Sequence, residues 1–283
     1  MKNSKLLFLD LIATVTLKES EEEIRAIVRH LIESICGLSS AELMADKAVS
    51  ESDEIRLHEA VARINRNEPL QYILNEAWFF GRKFYVDRSV LIPRPETEQL
   101  VALIVDRADR TSRVQKIIDV ATGSGCIAIS LNLEISNAET WGTDVSEAAL
   151  AVARRNATSL NNRTNFLLQD ILSEELPVNE VAIVVSNPPY IGECEKEAMA
   201  RNVLDYEPHL ALFVPDSNPL VFYEAIGKRS EKALVPGGLL AMEINERFGK
   251  EVAALMTESG FQRVELLKDL AGKDRFVLAR KGG

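Results

Sequence analysis

The chain has 283 residues, 46% hydrophobic and 27% charged, and its 43 acidic against 33 basic side chains leave a net charge of −10. Ordinary globular usage of this kind excludes disordered, collagen-like and low-complexity classes, and the length allows one large domain or two. An acidic chain repels phosphates unless it carries a local basic patch, so bulk charge argues against a nucleic-acid partner. The three cysteines, Cys36, Cys126 and Cys194, are far apart and form no Cys-x-x-Cys pair, and His30, His58 and His209 share no ligand spacing. Neither a disulfide framework nor a metal site is expected, and a reducing, cytoplasmic setting fits. The apolar run Leu6 to Leu17 is broken by Asp10 and followed by acidic Glu19 to Glu23, so it reads as a helix and not a cleaved leader. No apolar run reaches the roughly eighteen residues of a membrane span.

The first seventy-odd residues read as helices. Ser20 with Glu23 predicts a capping box, after which Ile24, Ile27, Val28, Leu31, Ile32 and Ile35 fall on one face and Gly37 supplies the stop. A short helix is expected over Ala41 to Ala45. Another should open at Ser52, turn Leu57, Val61 and Ile64 inward and end before Pro69. Ala77 to Val86 predicts a hairpin turning at Gly81-Arg82. Leu91 to Glu98 then leads, through Pro93 and Pro95, into a helix reaching about Asp109.

Beyond residue 115 strands and helices alternate. The expected strands are Lys116–Val120, Thr140–Asp144, Asn165–Gln169, Val181–Ser186, Leu239–Ile244, Val264–Lys268 and Phe276–Ala279. Helices fit at Cys126–Leu133, Ser146–Ser159, Pro219–Leu234 and Phe248–Ser259. Apolar strands in this alternation indicate an α/β fold with a mostly parallel sheet covered on both faces. Only a short turn at Gly272 separates the final two strands, so the last one is expected to be antiparallel.

Four motifs carry chemistry. Asp119-Val120-Ala121-Thr122-Gly123-Ser124-Gly125 is a strand end and a glycine-rich turn before a helix. Its glycines do not match a dinucleotide fingerprint, and Asp119 is poorly placed for an anionic pyrophosphate. It suits a ligand with an ammonium and no phosphate, such as S-adenosylmethionine. Asp144, at the tip of the next strand, can accept both hydroxyls of a ribose. After the third strand, Asp170 can accept from an adenine amino group and Ile171 can pack on the ring. The competing readings are a structural turn, a helix cap at Ser146 and a polar loop.

The fourth motif, Ser186-Asn187-Pro188-Pro189-Tyr190, is the sharpest. Consecutive prolines remove donors and hold the backbone extended, which leaves carbonyl oxygens free. Asn187 Oδ1 and the Pro188 carbonyl form a pair of acceptors matched to the two hydrogens of a planar –NH2 group. Pro189 stiffens the loop, and Tyr190 can stack on the flat group.

These motifs together resemble the class I S-adenosylmethionine-dependent amino-methyltransferases. Glu68-Pro69-Leu70-Gln71-Tyr72-Ile73, Leu91 to Glu98, Glu207-Pro208 with Ala211-Leu212, Pro236-Gly237-Gly238 before Glu243-Ile244, and Asp269 to Arg275 narrow the resemblance to the bacterial PrmC/HemK family. That family methylates the side-chain amide nitrogen of the glutamine in the Gly-Gly-Gln motif of bacterial peptide chain release factors. The resemblance implies a helical N-terminal domain over 1–75, a hairpin linker over 76–95 and, over 96–283, a Rossmann-like catalytic domain with a seven-stranded sheet. It implies S-adenosylmethionine as cofactor, S-adenosylhomocysteine as product, no metal, and release factors as partners without membrane or nucleic acid. By motif position, Ala121 to Gly125, Asp144, Ile171 and Asn187 would meet the cofactor, and Asn187, Pro188, Pro189 and Tyr190 the substrate glutamine.

The chain departs from the family pattern at Ala121, where a glycine is usual, and at Asn75, Asn245 and Phe248; Pro215 to Pro219 is a variant turn. None of these is expected to touch the Asn187–Tyr190 loop. An amide nitrogen is a poor nucleophile, and no base is evident beside the loop. The expected mechanism is therefore orientation and charge stabilisation by the paired acceptors. Methyl transfer to an exocyclic amine of DNA or RNA would use the same acceptors, but the net charge counts against it. A non-catalytic binding module would not need the intact Asn187–Tyr190 run.

Overall fold

A computed structural model of the chain describes residues 3–108 and 114–283. The chain divides into two compact units: residues 1–76 with 200–206, and residues 77–199 with 207–283. The first holds α1 (Ser4–Thr14), α2 (Glu21–Cys36), α3 (Ser40–Met44), α4 (Glu51–Ile64), α5 (Leu70–Leu74) and, from later in the chain, α9 (Arg201–Leu204). Ser20 caps α2 by accepting from the Glu23 N–H, and Gly37 ends it in the left-handed region. The expected faces are the buried ones: Val28, Leu31 and Ile32 pack with Leu57, Val61 and Ile64, and with Leu7 and Leu11 of α1. Ser50, not Ser52, opens α4, because its hydroxyl reaches the Asp53 N–H. Asn75 stands at a left-handed helix end, where asparagine is the next best residue after glycine.

The second unit begins with the hairpin β1 (Ala77–Phe79) and β2 (Arg82–Phe84). Its turn is Phe80-Gly81, one residue earlier than the sequence predicts, with φ of 49° and 73°. Two left-handed residues match the twist of the strands, and the Glu98 carboxylate accepts the Phe80 N–H at 2.9 Å. The remaining elements are α6 (Pro95–Arg107), β3 (Gln115–Val120), α7 (Cys126–Glu134), β4 (Ala138–Asp144), α8 (Glu147–Ser159), β5 (Asn165–Leu168), β6 (Val181–Ser186), β7 (Ile191–Gly192), β8 (Phe213–Val214), α10 (Val221–Ala233), β9 (Leu234–Glu243), α11 (Gly249–Glu258), β10 (Phe261–Lys268) and β11 (Asp274–Lys281). The expected end of α6 at Asp109 lies outside the described residues.

Seven strands form one sheet in the order β10-β11-β9-β6-β3-β4-β5. β11 is antiparallel to both neighbours, and the other strands run one way. It is inserted between β9 and β10, which a tight turn at Gly272 makes possible. Alternation along β3 sorts its residues to the two faces: Ile117 packs with α6, α7, α8 and the hairpin, and Ile118 with α10 and α11. The phenyl rings of Phe79 and Phe84 are buried on the first face, so the hairpin belongs to this core. Order reverses between β3 and β6, and the crevice outside the carboxyl ends of the strands opens there. No helix among the described residues is long and apolar enough to cross a membrane.

Candidate active site

The loops after β3, β4, β5 and β6 line a cavity of about 250 Å³, together with Leu91, Pro93, Arg94, Thr97 and the Pro208–Ala211 segment. The first loop is tightly wound. Ala121, Gly123 and Gly125 are all left-handed, at φ of 57°, 53° and 79°. The Thr122 N–H donates to the Thr143 carbonyl and the Gly125 N–H to the Thr122 carbonyl, each at 2.9 Å. Gly142 makes room for this crossing, because a Cβ there would lie 2.7 Å from Thr122 Oγ1 and from the Phe166 ring.

Asp119 lies beneath the loop and does not line the cavity. Its Oδ2 accepts from the Thr122 hydroxyl at 2.6 Å and the Ala128 N–H at 3.2 Å, while Oδ1 is buried without a partner. Burial pushes its pKa up to about 7, against the pull of those two donors. Gly125 is also turned from the cavity, toward Ala153 and Ile129. Ala121, Thr122, Gly123 and Ser124 line it. Fully buried Asn156 on α8 braces the loop from behind: its Nδ2 donates to the Ser124 and Tyr85 carbonyls, and its Oδ1 accepts the Tyr85 N–H.

Asp144 ends β4 at the cavity wall. One carboxylate oxygen accepts the Gly123 N–H and the other the Ser146 N–H, each at 2.9 Å. Burial raises its pKa, and the backbone donors oppose that rise. Asp170 and Ile171 line the cavity too. The Asp170 carboxylate accepts from the Leu172 N–H and the Ser173 hydroxyl, so it also closes its own turn. Its neighbour Gln169 donates to the Glu175 carbonyl, which leaves Gln169 Oε1 buried and unpartnered at the wall.

The Asn187–Tyr190 loop leaves β6 beside this wall. Asn187 and Pro189 line the cavity; Pro188 lies between them, and Tyr190 points away. Asn187 Nδ2 donates to Thr97 Oγ1 at 3.1 Å, and no described residue donates to Asn187 Oδ1 or to the Pro188 carbonyl. The Tyr190 hydroxyl donates to Glu243 Oε1 at 3.1 Å, and burial drives its pKa upward. Contrary to expectation, Asn245 does touch this loop: its Nδ2 donates to the Tyr190 carbonyl at 3.1 Å. Across the cavity, Arg94 pairs with the buried Glu207 carboxylate, which also accepts the Ile92 N–H at 3.1 Å and so holds the Leu91–Arg94 segment in place.

Family models match the chain twice: the Methyltransferase small domain over residues 97–207 and the PrmC N-terminal domain over residues 12–74. A release factor glutamine methyltransferase of Bacteroides thetaiotaomicron is 40% identical over 92% of this chain and 94% of its own length. That of Flavobacterium psychrophilum is 38% identical over 98% of both chains. The chain belongs to the release factor glutamine methyltransferase family. A solved methyltransferase from Pyrococcus furiosus, 17% identical, shares the fold with a TM-score of 0.53 over 78% of this chain and 98% of that one.

Within this family member the sequence reading missed Thr97, Gln169, Glu207 and Glu243. Thr97, Glu207 and Glu243 were visible only as parts of family motifs, and Gln169 only as the residue before Asp170. Each gains its meaning from a partner distant in the chain or from the cavity itself.

Two expectations follow from the first loop. Ala121 holds a left-handed backbone that disfavours a side chain by roughly 1–2 kcal/mol, so Ala121→Gly should raise stability by about 0.5–1 kcal/mol in urea unfolding, after the entropy cost of glycine. Folded Asp119 keeps its proton to about pH 7, whereas its ordinary pKa is 3.8. The folded state thus binds more protons between those values, and stability falls as pH rises through that window. Asp119→Asn should flatten that slope in pH-dependent melts of the ligand-free protein.

Proposed function

We propose that this family member transfers a methyl group from S-adenosylmethionine to the side-chain amide nitrogen of the glutamine in the Gly-Gly-Gln motif of bacterial release factors, releasing S-adenosylhomocysteine. The observation that carries this reading is a pair of unpartnered oxygens, Asn187 Oδ1 and the Pro188 carbonyl, in a proline-stiffened loop of which Asn187 and Pro189 line the cavity. Such a pair suits a –NH2 group, and a release factor as substrate places the reaction in the cytoplasm, without membrane or nucleic acid.

The acceptor-rich wall fits the cofactor. Buried, unpartnered Gln169 Oε1 and the Asp170 carboxylate suit an adenine amino group, Ile171 offers an apolar face to the ring, and the Asp144 carboxylate suits ribose hydroxyls. Asp119 contributes by holding the loop of Ala121 to Gly125 through Thr122 and Ala128. When bound, the cofactor supplies a methyl group already activated by its sulfonium, so no metal is needed.

Asn187 and Pro188 then do the work at the amide nitrogen. Their oxygens accept its two hydrogens, which fixes the plane of the amide and stabilises the positive charge that grows on nitrogen as it is alkylated. As the nitrogen–methyl bond forms, the methyl–sulfur bond would break with its electron pair going to sulfur; the alkylated nitrogen is then strongly acidic and gives its proton to water, so no base is required to start the reaction. Tyr190 anchors the end of the loop through Glu243; it does not line the cavity, so the expected stacking of its ring on the amide is not part of this reading.

Labelled cofactor is the decisive probe. Label should pass to a purified release factor and not to its Gln→Ala variant; label on DNA or RNA would favour a base amine instead. Asn187→Ala should slow transfer by roughly 10²-fold or more while cofactor affinity in calorimetry stays close to wild type. Asp144→Ala should weaken that affinity by about 10- to 100-fold and change the saturated rate far less.

A further inference from the structure

A carboxamide can be turned either way round, and only one way presents an acceptor to the substrate. At Asn187 the choice is made by groups behind it. Thr97 Oγ1 has a single hydrogen, and that hydrogen goes to Glu243 Oε2, 2.7 Å away. The other oxygen of Glu243 accepts from the Tyr190 hydroxyl at 3.1 Å. Thr97 therefore has only lone pairs to offer Asn187, whose Nδ2 lies 3.1 Å from it. The reversed amide would set Oδ1 against an oxygen with no hydrogen left to give.

We propose that Thr97 and Glu243 are positioning residues that decide which end of the Asn187 carboxamide meets the substrate –NH2. This rests on the methyl-acceptor reading above. Both are buried, Glu243 at 2% exposed behind the loop and Thr97 at 3% on the cavity wall. Glu243 must act as a carboxylate for the sequence of donors to hold. Burial works against that charge, and the Thr97 and Tyr190 hydroxyls and the nearby Arg275 support it. Thr97 comes from the first turn of α6 and Glu243 from the last position of β9, so the arrangement links both to the loop after β6.

The test compares Thr97→Val, Thr97→Ala and Thr97→Ser in the full chain. Val and Ala should slow saturated transfer to the release factor by roughly 10-fold or more, with affinity for S-adenosylhomocysteine and melting temperature near wild type. Ser keeps the hydroxyl and should retain most of the rate. A second readout needs no substrate: hydrogen exchange of the Asn187 side-chain amide in ¹H–¹⁵N spectra, with the signal identified by its loss in Asn187→Asp. Exchange should be slow in wild type and Ser, and fast in Val and Ala. Wild-type rate or unchanged exchange in Val and Ala overturns the proposal, as does a Ser variant as slow as Val. Unfolding of both Val and Ala also overturns it, in favour of a purely structural bond. Wild-type protein that labels no release factor sinks the substrate reading instead, and the exchange measurement still decides the positioning.

Discussion

Asn187 lines the cavity with its side-chain nitrogen tied to Thr97, and no described residue donates to its Oδ1. An acceptor left open at a cavity wall is free to take a hydrogen from a bound group. The rest of the site can be understood as support for that oxygen. Prolines 188 and 189 stiffen the backbone beyond it and take away competing donors. The side-chain amide is held from behind by Thr97, and the far end of the loop is held by Glu243 at the Tyr190 hydroxyl and by Asn245 at the Tyr190 carbonyl. The orientation of the Asn187 amide and of the loop is therefore built into the resting protein, which is what the proposed reaction asks of it.

The glycine-rich loop follows a different economy. Its three left-handed residues and the missing side chain at Gly142 let the backbone cross close to β4. Ala121 tolerates the same conformation at an energetic cost, and Asp119 and Asn156 hold the loop from below and behind. The acid that looks in sequence like a ligand contact is here a brace under the loop. The reason is strand alternation: Asp119 shares the inner face with Ile117, whereas Asp144 stands at a strand tip with its oxygens held by two backbone N–H groups.

The main elements were legible because their signals are local. Short apolar runs between helical stretches marked β3 and β6, the Ser20 cap and Gly37 bounded α2, and the short turn at Gly272 implied the antiparallel β11. Local signals failed where two neighbours were equally eligible, as with Ser50 against Ser52, or Phe80-Gly81 against Gly81-Arg82. In both cases a distant or flanking donor or acceptor made the choice; at the hairpin it was the Glu98 carboxylate, eighteen residues on.

What the sequence determined by itself is the set of covalent neighbours: the proline-bounded acceptors of residues 187–190, the acids at strand ends, and the order of strands and helices that makes a parallel sheet. Those follow from steric and hydrogen-bonding rules acting over a few residues. Only the tertiary structure decided that Thr97 and Glu243, 146 residues apart in the chain, share a hydroxyl hydrogen behind Asn187, and that Asp119 faces inward while Gln169 Oε1 is left unpartnered. Proton sharing and desolvation depend on which groups are brought within about 3 Å of one another, and packing across the sheet, not proximity in sequence, sets those distances.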